Sequence, residues 1–271
     1  MALTKVIGNG LGAVTQDGAA TFNESSASVD FRVESNGNAN MLFVDGSADK
    51  VGINTNAPNR MLSIENGDVQ IHETGSSDPL LQFSVGNTQA SPTQSYSLRI
   101  DNSDSDKFQL INGTSGAVAL SLDTTGAITK PLQPSFMAQA GNQSNIATTG
   151  NDVTVTFSNE VFDRNADYNN SNYTFTAPLE GLYHLSVQGY LLNVDTAASY
   201  YQIAIRTSNR SYYWLLDPNG FDADVSYVPF TVTSLVDMDG SDTATVAFNQ
   251  NGGSAQTDID TSSRFSGYLV A

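Results

Sequence analysis

The sequence predicts an all-β protein assembled from many short strands, and three observations lead to that prediction. Charged residues make up only 14% of the 271-residue chain. The polar positions are mostly Asn, Ser, Thr and Gly, which favour turns and strand surfaces over helix interiors. No segment keeps a helical spacing of apolar residues over three turns, and short segments of alternating apolar and polar residues recur instead, with turn residues between them.

The charge and the cysteine content argue against several classes of function. A formal net charge of −17 is spread along the chain, and a uniformly acidic surface repels phosphate backbones and anionic lipid, so we expect no nucleic-acid partner. The sequence has no cysteine, which argues against a thiol nucleophile and favours synthesis in a reducing cytoplasm. We find neither a signal peptide nor the ~20 apolar residues of a membrane span, so we expect no membrane insertion.

The first segment, residues 1–28, is rich in glycine, with Gly8, Gly10 and Gly12 close together. No strand pattern precedes these glycines, and the Lys-Ser/Thr pair and helix of a phosphate-binding loop do not follow them. A terminus of this composition is held in place by a neighbour when it is ordered. We therefore interpret residues 1–28 as an attachment segment.

Two β modules are predicted next, over residues 29–66 and 67–130. In the first module, alternation over residues 29–33 indicates a half-buried strand, and further short strands follow it. The second module contains four short predicted strands: 69–71, 81–85, 96–100 and 108–111. The last two form a predicted hairpin, over 97–110, across a turn rich in Asp and Ser. Strands this short bury little in one chain, so we expect three chains to share a core as a shaft.

Residues 131–271 form the last predicted domain, and a stiff linker with two prolines, over residues 130–134, marks its boundary. Its most regular segment, residues 173–191, consists of a strand that ends at a proline, a short turn and a long apolar strand. This order predicts a hairpin. A second hairpin is predicted over residues 232–246, with its turn at Asp239-Gly240.

The segment around the first of these turns resembles a known family. Ala177-Pro178 followed by Gly181 and Tyr183, after an apolar strand, is similar to the signature of the complement-q globular head. Four further segments resemble strands of that family in the same order: 134–138, 155–162, 232–246 and 264–269. The resemblance implies a tumour-necrosis-factor-like jelly-roll sandwich that trimerises through one aromatic-rich face. Our candidates for the domain core or the trimer contact are Phe136, Phe175, Tyr183, Leu185, Val187, Phe265 and Tyr268.

A second resemblance lies in residues 42–58. The string Leu-Phe-Val-Asp, a short loop and Lys-Val-Gly-Ile-Asn-Thr-x-x-Pro is similar to a motif of bacteriophage fibre proteins, where it joins shaft modules. The hairpin over 97–110 also resembles modules of those proteins. The resemblance implies a virion protein in which residues 1–28 bind other virion proteins, residues 29–130 form the shaft and residues 131–271 form a knob.

Aromatic residues beside Asn and Asp in the predicted knob suggest a recognition site. Aromatic rings stack on the apolar faces of sugars and proteins at low entropic cost. The receptor-binding candidates are Tyr212, Tyr213, Trp214, Asp217 and Asn219. The alternative interpretation is that the aromatic residues form the trimer core, as they do in the resembled family.

No pattern in the sequence indicates catalysis. The two histidines, His72 and His184, lie on predicted strands and are interpreted as structural or interface residues, and no Gly-x-Ser-x-Gly motif occurs. Some relatives in the resembled family hold calcium near the trimer apex, which makes Asp222 and Asp224 candidate ligands of Ca²⁺. We expect no other cofactor.

These observations lead to one leading hypothesis and several alternatives. The leading hypothesis is a non-enzymatic, trimeric phage tail fibre whose knob binds a host cell-surface glycan or an outer-membrane protein. The same architecture fits a capsid-decorating fibre or a structural assembly protein without receptor binding. A polysaccharide depolymerase spike and an extracellular lectin are the alternatives from other classes.

Overall fold

The computed structural model of the chain describes residues 26–86, 88 and 91–271. Most of the predicted attachment segment, residues 1–28, therefore lies outside the described residues. The described chain contains strands and a single three-residue 3-10 helix, which confirms the all-β prediction. Among the described residues, no helix has the length and apolar character needed to cross a membrane. The chain divides into two compact units at residues 72 and 73, and each unit is described by itself.

The first unit contains a four-stranded sheet with the order β1-β2-β3-β4. Its strands are β1 (Phe31–Ser35), β2 (Asn38–Asp45), β3 (Lys50–Ile53) and β4 (Leu62–Ile64). The first three are antiparallel neighbours, and β3 and β4 are parallel. Gly52 lies where the chain curls back on itself, because a Cβ there would lie 2.3 Å from the carbonyl oxygen of Thr55. This close approach explains the glycine in the motif over residues 42–58.

The second unit begins with a five-stranded antiparallel sheet, which we call the meander, with the order β5-β6-β7-β8-β9. Its strands are β5 (Leu80–Val85), β6 (Gln94–Asp101), β7 (Lys107–Asn112), β8 (Val118–Leu122) and β9 (Ile128–Thr129). The predicted hairpin over 97–110 is confirmed, since Asp101 pairs with Lys107 across its turn. The strand predicted at 69–71 is wrong, because this segment has no regular secondary structure.

The two faces of the meander differ in polarity because successive residues of a strand point to opposite sides. One cross-strand row consists of Leu81, Leu98, Leu110 and Leu120. On the opposite face, Arg99 donates hydrogen bonds to Asp78 (3.1 Å), Asp101 (2.6 Å) and Gln109 (2.9 Å). One face of the meander is therefore apolar and the other carries a hydrogen-bonded polar network.

The rest of the second unit is a sandwich of two antiparallel sheets. The front sheet has the order β12-β10-β21-β15-β18, with β20 paired to β15. Its strands are β10 (Ser135–Gln139), β12 (Asn159–Arg164), β15 (Gly181–Val194), β18 (Val225–Met238), β20 (Asp258–Ile259) and β21 (Arg264–Leu269). The back sheet has the order β13-β14-β19-β16-β17, with β11 paired to β19. Its strands are β11 (Val153–Thr154), β13 (Tyr168–Asn169), β14 (Thr174–Thr176), β16 (Ala198–Thr207), β17 (Ser211–Leu216) and β19 (Thr243–Gly252).

The hydrophobic core lies between the two sheets of the sandwich. Phe136 stacks on Phe175 at a centroid distance of 4.8 Å and meets Phe265 edge-on at 5.0 Å. Gly267 lies under this ring, because a Cβ there would be 2.8 Å from Phe136. Six of the seven predicted core or trimer residues are buried here: Phe136, Phe175, Tyr183, Leu185, Val187 and Phe265. The seventh, Tyr268, is 49% exposed.

Two hairpin predictions in this domain are wrong. The predicted hairpin over 173–191 joins β14 of the back sheet to β15 of the front sheet, and the one over 232–246 joins β18 of the front sheet to β19 of the back sheet. The two connections lie side by side, since Ser241 donates to Ala177 and Ala177 donates to Asp242, both at 2.8 Å. A tight turn shows that the chain reverses, but it does not show which sheet the next strand joins. The segment resembling a strand over 155–162 is also irregular until β12 begins at Asn159.

Candidate functional site

Strand β17 carries three of the predicted receptor-binding residues, and its alternation separates them. Tyr212 and Trp214 face inward and pack against the core, where Trp214 lies 6.2 Å from Phe230 between ring centroids. Tyr213 faces outward and is 55% exposed. Only Tyr213 of these three is therefore placed to contact a partner without rearrangement of the core.

The two polar candidates, Asp217 and Asn219, lie in the turn that follows β17. Asp217 precedes the 3-10 helix Pro218–Gly220, and its Oδ1 accepts hydrogen bonds from the backbone N–H (3.0 Å) and side-chain amide (2.8 Å) of Asn219. Both residues are exposed. Their contacts with each other form the turn, so the five predicted receptor-binding residues do not share one surface.

The outward side of the back sheet instead gathers a polar cluster around Arg206. Arg206 Nη2 donates hydrogen bonds to Asp152 Oδ1 at 2.9 Å and to Gln202 Oε1 at 3.2 Å, and it forms an ion pair with Asp152 Oδ2 at 2.6 Å. Arg206 Nη1 donates to the Tyr213 hydroxyl at 3.0 Å, and the guanidinium carbon lies 5.0 Å from the Tyr213 ring centroid. Asn249 Nδ2 donates to Asp152 at 3.2 Å and to the Gly150 carbonyl at 2.8 Å. We call Asp152, Gln202, Arg206, Tyr213 and Asn249 the polar cluster.

Two atoms of the polar cluster have no hydrogen-bond partner among the described residues. Arg206 Nε is a donor and Asn249 Oδ1 is an acceptor, and both atoms are buried. Partial burial of Asp152 opposes its ionisation, but the hydrogen bonds from Arg206 and Asn249 and the charge of Arg206 outweigh burial, so the pKa of Asp152 lies below its ordinary value. The cluster therefore holds a charged carboxylate at neutral pH.

The candidate calcium ligands lie elsewhere. Asp222 is exposed, and Asp224 accepts hydrogen bonds from Thr196 N, Thr196 Oγ1 and Gln256 Nε2 at 2.9–3.0 Å. Within the described part of the chain, no group of three or more His, Asp or Glu residues has the arrangement of a metal site. Calcium binding at Asp222 and Asp224 stays a prediction.

The outward face of the front sheet carries the remaining candidate, Tyr268. Tyr268 pairs across the sheet with His184, which in turn pairs with Leu235, and the rings of Tyr268 and His184 lie 5.0 Å apart. Leu235 and the nearby Leu182 are exposed. This end of the front sheet is therefore an exposed aromatic and aliphatic surface.

Sequence reasoning missed Asp152, Gln202, Arg206 and Asn249. Part of the signal was local, because Gln202 and Arg206 alternate with the apolar residues Tyr201, Ile203 and Ile205 and so occupy the outward side of β16. Asp152 and Asn249 are separated by 97 residues, and no local pattern relates them. Their meeting depends on the pairing of β11 with β19 and of β16 with β19.

Comparisons with known proteins concern the sandwich. A family model described as the C1q domain matches residues 135–270. Among solved structures, the globular domain of zebrafish complement 1qA protein is similar at 15% sequence identity, covering 51% of this chain and 98% of the zebrafish chain with a TM-score of 0.38. No curated protein matches the chain.

Proposed function

The chain belongs to the C1q domain family through residues 135–270, and from that premise we propose that it is one subunit of a homotrimeric bacteriophage tail fibre whose C-terminal sandwich binds a host-surface ligand. C1q domains typically form trimers that bind ligands, and the family is generally non-enzymatic. The bacteriophage part of the proposal is supported by the fibre-like motif over residues 42–58 and by the fibre-like hairpin over 97–110.

One observation supports the proposed trimer most directly: the apolar face of the meander is exposed in a single chain. Phe83 and Val85 of β5 are 60% and 68% exposed, and Tyr96 beside Phe83 is also exposed. Contiguous apolar surface of this kind marks a protein contact on a soluble protein. Because the opposite face carries the Arg99 network, the apolar face is the side of the meander that requires a partner.

A second copy of the chain is the occupant that fits this face. An apolar face present once in every chain can be buried by identical chains arranged around a symmetry axis. The front sheet of the sandwich supports the same arrangement, because it also exposes an apolar surface at Leu182, Leu235 and Tyr268. Two regions of one unit thus expose apolar faces, as expected of a chain that trimerises along its length.

Trimerisation also provides the mechanism of binding. Three identical sites in one knob, and several fibres in one particle, raise the avidity for a surface ligand without any new contact at the single site. We propose that residues 1–28 bind other virion proteins. We also propose that residues 29–66 and 67–130 form the shaft, while residues 131–271 form the ligand-binding knob.

The trimer is tested by a pair of adjacent substitutions on β5. The wild-type chain is expected to have about three times its mass of 28.8 kDa in light scattering. Phe83→Glu places a charge on the apolar face and is expected to weaken association, so that the mass falls below that of the trimer at low protein concentration, because burying an unpaired charge is costly. Gln82→Glu, on the opposite face, is the matched control and should leave the trimer intact. A monomeric wild-type chain would contradict the proposal.

The location on the particle is tested by immunoelectron microscopy with an antibody against residues 131–271. Label on tail fibres or at the tail tip is the expected result. Label over the capsid would contradict the tail-fibre proposal and indicate a capsid-decorating fibre instead.

The receptor role is tested separately, by measuring the binding of the fluorescently labelled trimer to host cells and its competition against phage adsorption. Absence of both effects would overturn that role.

A further inference from the structure

We propose that the polar cluster on the back sheet is the contact site for a neutral saccharide. This inference rests on the proposed function, since it names the ligand class and the residues of the knob that would meet it. It moves the site away from Trp214, Asp217 and Asn219. Only Tyr213 is shared with the set of receptor-binding residues predicted from the sequence.

The surface beside the polar cluster combines apolar and polar groups in the way that a sugar ring requires. Tyr213 and Leu215 both face outward on β17 and are 55% and 62% exposed. Leu215 pairs across the sheet with Gln202 of the polar cluster. An exposed ring and an aliphatic side chain can cover the C–H face of a sugar, while neighbouring carboxylate and amide groups bind its hydroxyls.

The polar groups of this site are held in place before any ligand arrives. Arg206 contacts Asp152, Gln202 and the Tyr213 hydroxyl, as described above. Asn249 is only 7% exposed and is fixed by its contacts with Asp152 and the Gly150 carbonyl. Long polar side chains that are already ordered lose little entropy on binding, which favours affinity for a small ligand.

The two unpartnered atoms of the polar cluster point to a hydroxyl group as their partner. Arg206 Nε needs an acceptor and Asn249 Oδ1 needs a donor, and the side chains of both residues bind Asp152. Buried polar atoms in folded proteins nearly always have a partner. A hydroxyl both accepts and donates hydrogen bonds, so a sugar hydroxyl can satisfy an atom of either kind once the side chain that covers this atom shifts to admit it.

The charge of the domain favours a neutral sugar over an acidic one. Residues 131–271 contain 4 basic and 14 acidic residues, and their summed field repels anions. The charge of Arg206 is balanced locally by Asp152 at 2.6 Å. A uronic acid or a phosphorylated sugar would therefore meet a repulsive surface with no free cation in the polar cluster to offset it.

The position of the site agrees with the proposed trimer. The polar cluster lies on the outward side of the back sheet, whereas the exposed apolar surface at Tyr268 lies on the front sheet, on the opposite side of the sandwich. A trimer that buries front sheets would leave three copies of the polar cluster accessible to a cell surface.

The test uses the full-length protein and saturation-transfer NMR with glucose, galactose, mannose, N-acetylglucosamine and glucuronate at millimolar concentration. We expect magnetisation transfer to at least one neutral sugar and none to glucuronate. Tyr213→Ala should weaken that binding about tenfold, the scale of losing one central aromatic contact. Gln202→Ala should weaken it by a smaller factor. Arg210→Ala, in the exposed turn of the same hairpin, is the matched control and should bind as the wild type.

Each other outcome overturns a stated part of the inference. Unchanged binding by both Tyr213→Ala and Gln202→Ala would move the site elsewhere on the knob. Stronger transfer to glucuronate would overturn the assignment to neutral sugars. If no sugar shows magnetisation transfer while host-cell binding is intact, the assignment of a saccharide ligand is overturned. The receptor would then be a protein, or the polar cluster would hold only a structural water. A wild-type chain that binds no cells would instead contradict the proposed function.

Discussion

The meander and the sandwich use the same strand pattern but satisfy it in different ways. Both contain strands with one apolar side, as in the leucine row of the meander and the alternation along β15. In the sandwich, two apolar faces meet, so that Leu185, Phe265 and their neighbours are fully buried. In the meander no described residue covers the apolar face, and Phe83 and Val85 are largely exposed. The difference teaches that a second sheet can complete a core within one chain, whereas a single sheet leaves its apolar face for a partner, which we propose is another copy of the chain.

The largest expected effect is a difference in folding between the two regions when each is produced as a separate fragment. Residues 131–271 alone should give a dispersed NMR spectrum and a cooperative thermal transition, because the core lies entirely within that segment. Residues 67–130 alone should be unfolded or aggregated, because a lone sheet with one exposed apolar face buries too little surface for stability. A folded, monomeric 67–130 fragment would break the comparison.

The next effect concerns how stability depends on protein concentration. Phe265→Ala should lower the free energy of unfolding of the sandwich by about 3–5 kcal/mol, because it empties a filled core position. Urea denaturation of residues 131–271 measures this loss.

Phe83→Ala in the full chain should instead weaken association, so that the melting temperature of this variant falls mainly at low protein concentration. An equal loss at all concentrations would show that Phe83 stabilises a single chain.

A smaller effect compares two adjacent residues on opposite sides of β17. Trp214→Ala should destabilise the sandwich by about 2 kcal/mol, because the half-buried ring packs against Phe230 and the core. Tyr213→Ala should lower the free energy of unfolding by no more than about 1 kcal/mol, because it removes only the partly exposed contacts of Tyr213 with Arg206. Chemical denaturation of both variants measures the difference. Equal losses would show that the outward side of the back sheet also contributes to the core.

The smallest effect concerns the polar faces, in which the two regions resemble each other. A hydrogen bond from Ser103, followed by the charge of Arg99, lowers the pKa of Asp101 in the meander, as the polar cluster lowers the pKa of Asp152 in the sandwich. A carboxylate with a lowered pKa in the folded state stabilises the fold above its unfolded pKa of about 3.9, and this contribution is lost as the pH falls through the folded value.

Acidification should therefore reduce the amount by which the melting temperature of the wild type exceeds that of Asp152→Asn. The difference between their melting temperatures is expected to shrink between about pH 6 and about pH 3. Asp222→Asn, at an exposed loop position, is the control and should differ little from the wild type at either pH. A difference that grows on acidification would contradict the assigned direction of the Asp152 pKa.

Several features of this protein follow from the sequence alone. Alternation with period two predicts strands, and it also predicts which side of each strand is apolar, because that geometry depends only on neighbouring residues. The meander hairpin was predictable in this way. The membership of the C1q domain family, and with it the core positions of Phe136, Phe175 and Phe265, was indicated instead by the resemblance of several segments to that family. Tyr213 and Trp214 could have been separated by the same rule, since adjacent residues of a strand face opposite sides.

Only the tertiary structure decides which strands become neighbours. The turns near Pro178 and Gly240 predict reversals of the chain, yet each reversal leads to the facing sheet, because a short connection can span the sandwich as well as a hairpin. The polar cluster depends on the same long-range choice, since Asp152, Arg206 and Asn249 meet only after β11 and β16 pair with β19. Strand pairing is set by packing over the whole core, whereas side-chain alternation is set within a few residues, so the sequence determines the elements and the tertiary structure assembles the site.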